Sequence, residues 1–361
     1  MRLLKTVFAV LALCVVSGCQ LVVMNPAGDV ASQQADLIVY ATVLMCIVIV
    51  PVILLTLFFA FHYRERNEEA RYEPDWDHSI SLEIVIWSVP LAIIICLAGL
   101  TWVATHRLNP YDDLTRISET QAVPEGVTPL QIQAVALDWK WMFIYPEYGV
   151  ATINEVAVEV DRPVEWHLTS STVMNAFYIP DMSGMIYAMA GMQTEMNNVI
   201  NAAGEFEGFA SHYSGAGFSD MRFTVQAGDR ADFDTWIENV RAEGGLLDRA
   251  AFLEADQPSV AHPVTYYGSV EDGLWNRILN QCVGDDQLCM DDMMMVDALG
   301  GGGLEGLFNR QMFAGICSED DPGLILALLK PEMRAKEEQI MAAAFGEDLL
   351  PDVPSLTTKA N

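Results

Sequence analysis

Two stretches of the chain are almost free of polar residues. Residues 37–61 form a nearly unbroken apolar run. At about 1.5 Å of rise per residue, a helix of that length crosses a hydrocarbon core of about 30 Å with some tilt. Pro51 falls in its middle, a position that a membrane helix tolerates when neighbours re-satisfy the freed carbonyl. A second run extends from about residue 82 to 103, with Trp87 and Trp102 near its ends as interfacial anchors. Between the runs lies His62-Tyr63-Arg64-Glu65-Arg66, continuing to Arg71. Arginines in so short a connection place it on the cytoplasmic side, which makes the pair a hairpin with both flanks outside. The expected divisions are helices at 37–63 and 82–105, a cytoplasmic loop at 64–81 and an outer N-terminal segment at 19–36.

Beyond residue 110 the pattern changes period. Residues 117–129 are polar with Pro and Gly, and the interval 106–129 reads as a linker. Alternation then appears at 131–135, 157–160 and 164–168, separated by turn clusters such as Asp161-Arg162-Pro163 and Ala203-Gly204-Glu205. Short strands at this spacing predict a β-sandwich or Greek-key barrel over 130–234. Residues 235–281 read as a helical module carrying Trp236, Tyr266, Tyr267 and Trp275. Residues 282–361 form an acidic tail with Met and Cys, in which 308–345 has room for two helices.

The start of the chain carries an address. Arg2 and Lys5 precede the apolar run 6–16, the shape of a secretory signal over 1–18. It ends in Val16-Ser17-Gly18-Cys19, which resembles the bacterial lipobox. That resemblance implies cleavage before Cys19 and acylation of its thiol, with the mature end held at the outer face of the inner membrane. The alternative is an ordinary signal peptide in which the cysteine is incidental.

Charge and cysteines narrow the function classes. The formal net charge is −30 with 19 Lys+Arg over 361 residues, which excludes a nucleic-acid partner. Of the seven cysteines, Cys14 and Cys19 belong to the address, and Cys46 and Cys96 lie in apolar runs as small hydrophobes. Cys282, Cys289 and Cys317 lie outside, where disulfides form. Three cysteines permit three single bridges, and the sequence does not choose among them. A copper site built from Cys282, Cys289, Met290 and the methionines at 293–295 is the rival reading of that segment. No CxxC pair supports a zinc ribbon or a thioredoxin-like site.

More specific motifs follow. His78-Ser79, Glu83, Trp87-Ser88 and Pro90 open the second span, and Asp138-Trp139-Lys140-Trp141-Met142-Phe143-Ile144-Tyr145-Pro146 is an unusually aromatic run. Together these resemble subunit II of the haem–copper respiratory oxidases. The resemblance implies a membrane α-hairpin of two transmembrane helices carrying an all-β, cupredoxin-like Greek-key sandwich, with a helical C-terminal extension. It also places Glu83 at the mouth of a proton-uptake path into subunit I. A carboxylate in a first helical turn is otherwise accounted for by the helix dipole. The aromatic run reads as packing and docking against subunit I rather than as an electron carrier.

Electron-accepting members of that family hold two coppers on Cys-x-Glu-x-Cys-x₃-His-x₂-Met, with a further histidine upstream. Here the first cysteine position is Ala210, the glutamate His212, the second cysteine Ser214 and the histidine Phe218. Met221 alone remains, and Asn175 stands at the upstream histidine position. Alanine and phenylalanine have no donor, and a serine hydroxyl replaces a thiolate poorly. The intervening loop holds Met182, Met185, Met189 and Met192, read as packing, with a Met-based copper(I) site as the rival.

A frame of this kind without ligands resembles the cytochrome bo-type ubiquinol oxidase branch. The resemblance implies electrons arriving from quinol in the membrane and no docking of cytochrome c. It implies no cofactor or catalytic residue on this chain, and haems and copper in subunit I. It gives subunits I, III and IV, membrane lipid and ubiquinol as partners. The competing readings are a cytochrome c oxidase subunit, which the missing ligands oppose, and an exported cupredoxin-like copper-handling or adaptor lipoprotein.

Overall fold

A computed structural model describes residues 21–67, 75–124, 126–284, 287 and 289–298. The lipobox at Cys19, Cys317 and the two helices expected in the tail lie outside these residues. Helix α1 (Asp29–His62) and helix α2 (Ile80–Arg107) carry the two apolar runs. Their apolar side chains face outward along most of their length, as a pair of spans requires.

Helix α1 begins eight residues before its apolar run, because its first two turns are built into the outer domain. Asp29, Val30, Ala31 and Ala35 are buried there. The backbone N–H groups of Ala27 and Gly28 donate to the Asp181 carbonyl at 3.0 and 2.7 Å, and that of Ala31 to Met182 at 3.2 Å. The domain thus satisfies donors that a helix start leaves without partners. A Cβ on Gly28 would stand 2.3 Å from the Val199 carbonyl oxygen, so the close approach requires glycine.

The interval expected as a linker contains a small ribbon, strands β1 (Arg116–Ser118) and β2 (Gln121–Ala122). The sandwich follows, with β3 (Leu130–Leu137), β4 (Lys140–Tyr145), β5 (Val150–Ile153), β6 (Glu155–Glu159), β7 (Val164–Ser170), β8 (Asn175–Tyr178), β9 (Ile186–Ala188), β10 (Thr194–Asn198), β11 (Gly204–Ala210) and β12 (Arg222–Gly228). One sheet runs β10-β7-β3-β4-β5 and is extended by β14 (Thr265–Val270) and β13 (Gly245–Leu247). The other runs β6-β12-β11-β8-β9. Most pairs are antiparallel; β3–β7, β6–β12 and β13–β14 are parallel.

The aromatic run shows why the domain has three layers. Alternate residues of a strand face opposite sides of the sheet. In β4, Trp141, Phe143 and Tyr145 enter the core between the sheets, while Met142 and Ile144 enter a second core behind them. Trp141, Phe143, Trp166, Phe177 and Phe223 pack ring on ring, with centroids 5.0–6.3 Å apart. Deleting any one of these rings costs about 3–5 kcal/mol. The run therefore packs inward, and Trp139 at the hairpin tip also lies against this core.

The second core is closed by the C-terminal module: α4 (Arg249–Ala255), α5 (Leu274–Leu279) and Val283, preceded by α3 (Arg230–Glu243). This module differs from the all-helical reading of 235–281. Thr265-Tyr266-Tyr267 pairs antiparallel with β5, and its β-branched and aromatic residues suit a strand once that edge is offered. Helix α6 (Met290–Ala298) ends the described chain.

Candidate functional site

The six positions of the ligand-less frame come together at one end of the sandwich. Strand β8 supplies Asn175, β11 ends at Ala210, and Met221 immediately precedes β12. The connecting loop is pinched at its base: Ala210 N–H donates to the Met221 carbonyl at 3.1 Å and Ser211 N–H to that of Ala176 at 2.9 Å. These two bonds set the ends of the 210–221 loop beside each other and beside β8.

Its chemistry is that of packing. Ala210 and Met221 are buried in the inter-sheet core. Phe218 packs on that core and edge-on to the Tyr213 ring, with centroids 5.6 Å apart. His212 meets the Tyr187 ring edge-on at 6.0 Å. Asn175 is buried and donates from Nδ2 to the Val173 carbonyl at 3.0 Å. Its Oδ1 and the Ser214 Oγ are buried without a hydrogen-bond partner among the described residues. Trp139 closes the loop. Its indole Nε1 donates to the Ser214 carbonyl at 3.0 Å, and a Cβ on Gly217 would lie 2.5 Å from the ring. No thiolate or converging imidazole is present, so these residues do not fit a two-copper centre.

The methionine loop diverges rather than converging. Met182 is buried in the core, while Met185 and Met192 are exposed, with Met185 Sδ 3.1 Å from Ser211 Oγ. Among the described residues no group of three or more His, Cys, Asp or Glu is arranged to hold a metal.

At the start of the second span, Glu83 lies in the first turn of α2, its N–H donating to the Ser79 carbonyl at 3.0 Å. His78 Nδ1 stands 2.6 Å from Glu83 Oε1, and both side chains are exposed. The His78 partner was not anticipated, although His78 stands just ahead of the helix start and five positions before Glu83 in the sequence.

Polar clamps hold the C-terminal module. Buried Lys140 donates from Nζ to the Gln257 carbonyl at 2.7 Å and to Ser259 Oγ at 2.8 Å. Burial lowers the Lys140 pKa and raises that of Asp256 beside it. Glu155 Oε1 accepts from Trp236 Nε1 and from the Tyr266 hydroxyl, each at 2.8 Å. Burial, then that bond to the carboxylate, pushes the Tyr266 phenol up to about 12. Cys282 is joined to Cys289, which takes both thiols from the rival copper reading of the tail.

Comparison with known proteins decides the family. Residues 241–286 match the model described as the COX Aromatic Rich Motif. The chain is 45% identical over 264 residues to the cytochrome bo(3) ubiquinol oxidase subunit 2 of Pseudomonas aeruginosa, covering 73% of this chain and 77% of that one. The chain belongs to the ubiquinol oxidase subunit 2 family. The ubiquinol oxidase subunit 2 of Acetobacter aceti is 43% identical over 263 residues, 73% of this chain and 83% of the relative. Among solved structures, the periplasmic domain of subunit II of the Bradyrhizobium japonicum cytochrome oxidase is 24% identical, covering 30% of this chain and 91% of that chain at a TM-score of 0.30. As a subunit 2 with two long apolar helices, the chain is a membrane protein.

Proposed function

We propose that this chain is the non-redox subunit 2 of a proton-pumping quinol oxidase, which passes electrons from ubiquinol to oxygen in an aerobic respiratory chain. The observation that carries the reading is the β-frame itself, complete in its strands and filled with Ala210, Ser214, Phe218 and Asn175 where copper would need thiolates and imidazoles. Quinol delivers its electrons within the membrane, so such a complex needs no water-facing relay and no cytochrome c. Subunit I holds the haems and the copper, and subunits III and IV complete the complex. The outer domain is periplasmic on the bacterial inner membrane, and Cys19 carries the lipid anchor. The work of this chain is assembly, docking and proton access.

Isolation of the chain in mild detergent tests this directly. A large haem-bearing subunit should co-purify, with quinol-dependent oxygen uptake; a haem-free preparation would sink the reading. Proton access is assigned to Glu83, whose carboxylate is exposed beside His78 at the cytoplasmic end of α2. Glu83→Gln in an assembled complex should slow oxygen uptake and proton uptake together. Rates equal to those of the unaltered complex would remove Glu83 from the path.

A further inference from the structure

The two spans do not close on each other at their outer ends. An apolar groove runs between them, lined by Tyr40, Val43 and Leu44 of α1 and by Cys96, Leu100 and Val103 of α2. It opens upward, through the shared residues Tyr40, Leu100 and Val103, into a cavity of about 290 Å³ with Asp36, Arg107 and Glu119 in its wall. That cavity continues, past Asp29, Arg107 and Arg116, into a third hollow beneath the outer domain.

The order of chemistry along the groove matches the bilayer. On α2, positions 96, 100, 103 and 107 recur at three- and four-residue steps, so they share one helix face. From Arg107 to Cys96 is roughly 16 Å along the axis, about half of a hydrocarbon core of about 30 Å, or one leaflet. On α1 the charged Asp36 lies one turn outside Tyr40, which stands at the level of an interfacial aromatic, with Val43 and Leu44 deeper. Gly99 widens the floor, since a Cβ built there meets nothing within 4 Å.

The charges at the top are of both signs and not all spent on each other. Arg116 is held by Asp29 at 2.8 Å, and Asp29 also accepts from Gln33 at 2.9 Å. The side chains of Arg107, Asp36 and Glu119 make no hydrogen bond or ion pair among the described residues, and all three are exposed. One free guanidinium suits a phosphate; two free carboxylates suit an ammonium that donates hydrogen bonds. We propose that this groove binds one phospholipid of the surrounding membrane bearing a phosphate and a primary ammonium, with an acyl chain between the helices and the headgroup between Arg107 and Asp36/Glu119. A purely anionic headgroup would leave both carboxylates unanswered.

The test uses the assembled complex purified in detergent, with haem content and subunit ratio confirming assembly independently of lipid. Gly99→Phe fills the groove floor, and Arg107→Gln removes the phosphate partner. The unaltered complex should retain one tightly held phosphatidylethanolamine that Gly99→Phe lacks, read by native mass spectrometry. On re-addition of lipid to stripped complex, Arg107→Gln should weaken phosphatidylethanolamine binding by about tenfold. Phosphatidylglycerol should bind the unaltered complex more weakly than phosphatidylethanolamine. Should Gly99→Phe fail to assemble, an acyl-diazirine phosphatidylethanolamine added to the unaltered complex should label residues 96–103. Identical lipid retention in all variants, or no label in that segment, would overturn the proposal and leave the groove to a partner helix or to the chain's own acyl group.

Discussion

Gly217 shows how far the outer loop has moved from metal chemistry. A Cβ there would press into the Trp139 ring, which its own hydrogen bond to Ser214 holds in place. Gly217→Val should therefore destabilise the domain by about 1–3 kcal/mol, the range for overpacking a filled site, seen as a lower thermal midpoint. An unchanged midpoint would mean that the indole is free to leave. The positions from Ala210 to Met221 were read from the length of one loop, which is a property of that segment alone. The closing of that loop by Trp139 was not legible, since donor and acceptor are 75 positions apart. The same separation problem hid the Glu155 bonds to Trp236 and Tyr266, while His78 beside Glu83 is a local pair.

Among the elements, the spans were the easiest to read, because length and apolarity are properties of one segment alone. Strand β14 was the hardest, because Tyr266 and Tyr267 become a strand only against the edge of β5. Its hold on the sandwich gives a pH dependence with a defined sign. The folded state keeps the Tyr266 phenol protonated up to about 12 through burial and the bond to Glu155, whereas an unfolded phenol ionises near 10. The stabilisation is complete below about pH 10 and is lost as pH rises through about 12. Alkaline titration followed by near-ultraviolet circular dichroism should show the C-terminal module loosening in that window. Tyr266→Phe should be less stable at neutral pH and should lose this component of the alkaline transition. An alkaline profile identical to that of the unaltered chain would separate Tyr266 from the clamp.

For the whole molecule, the third layer is fastened at its far end by the Cys282–Cys289 bridge, beside Val283, whose carbonyl accepts from Arg249 Nε and Nη2 at 2.9 and 2.7 Å. Replacing both cysteines by serine should cost about 2–3 kcal/mol on a chain-entropy estimate for so short a loop, measured as a drop in unfolding midpoint. Copper analysis of the full chain and of a chain ended after Gln281 should give equal, near-zero values; a difference would restore a metal site in the tail. The bridge itself was one of three pairings that the sequence allowed. The entry of α1 into the outer domain had no local signal either, since residues 27–31 find their partners at 181–182 and 201. That contact has a consequence for biosynthesis. The partners of the first helical turn are made roughly 150 residues after it, and closing so long a loop is entropically slow. The hairpin must therefore enter the membrane with its leading end uncapped, and the domain sets that end only when its own strands are complete. The contact between the first helical turn and the domain is then a late one to close, at a glycine where a Cβ would stand 2.3 Å from the Val199 carbonyl oxygen.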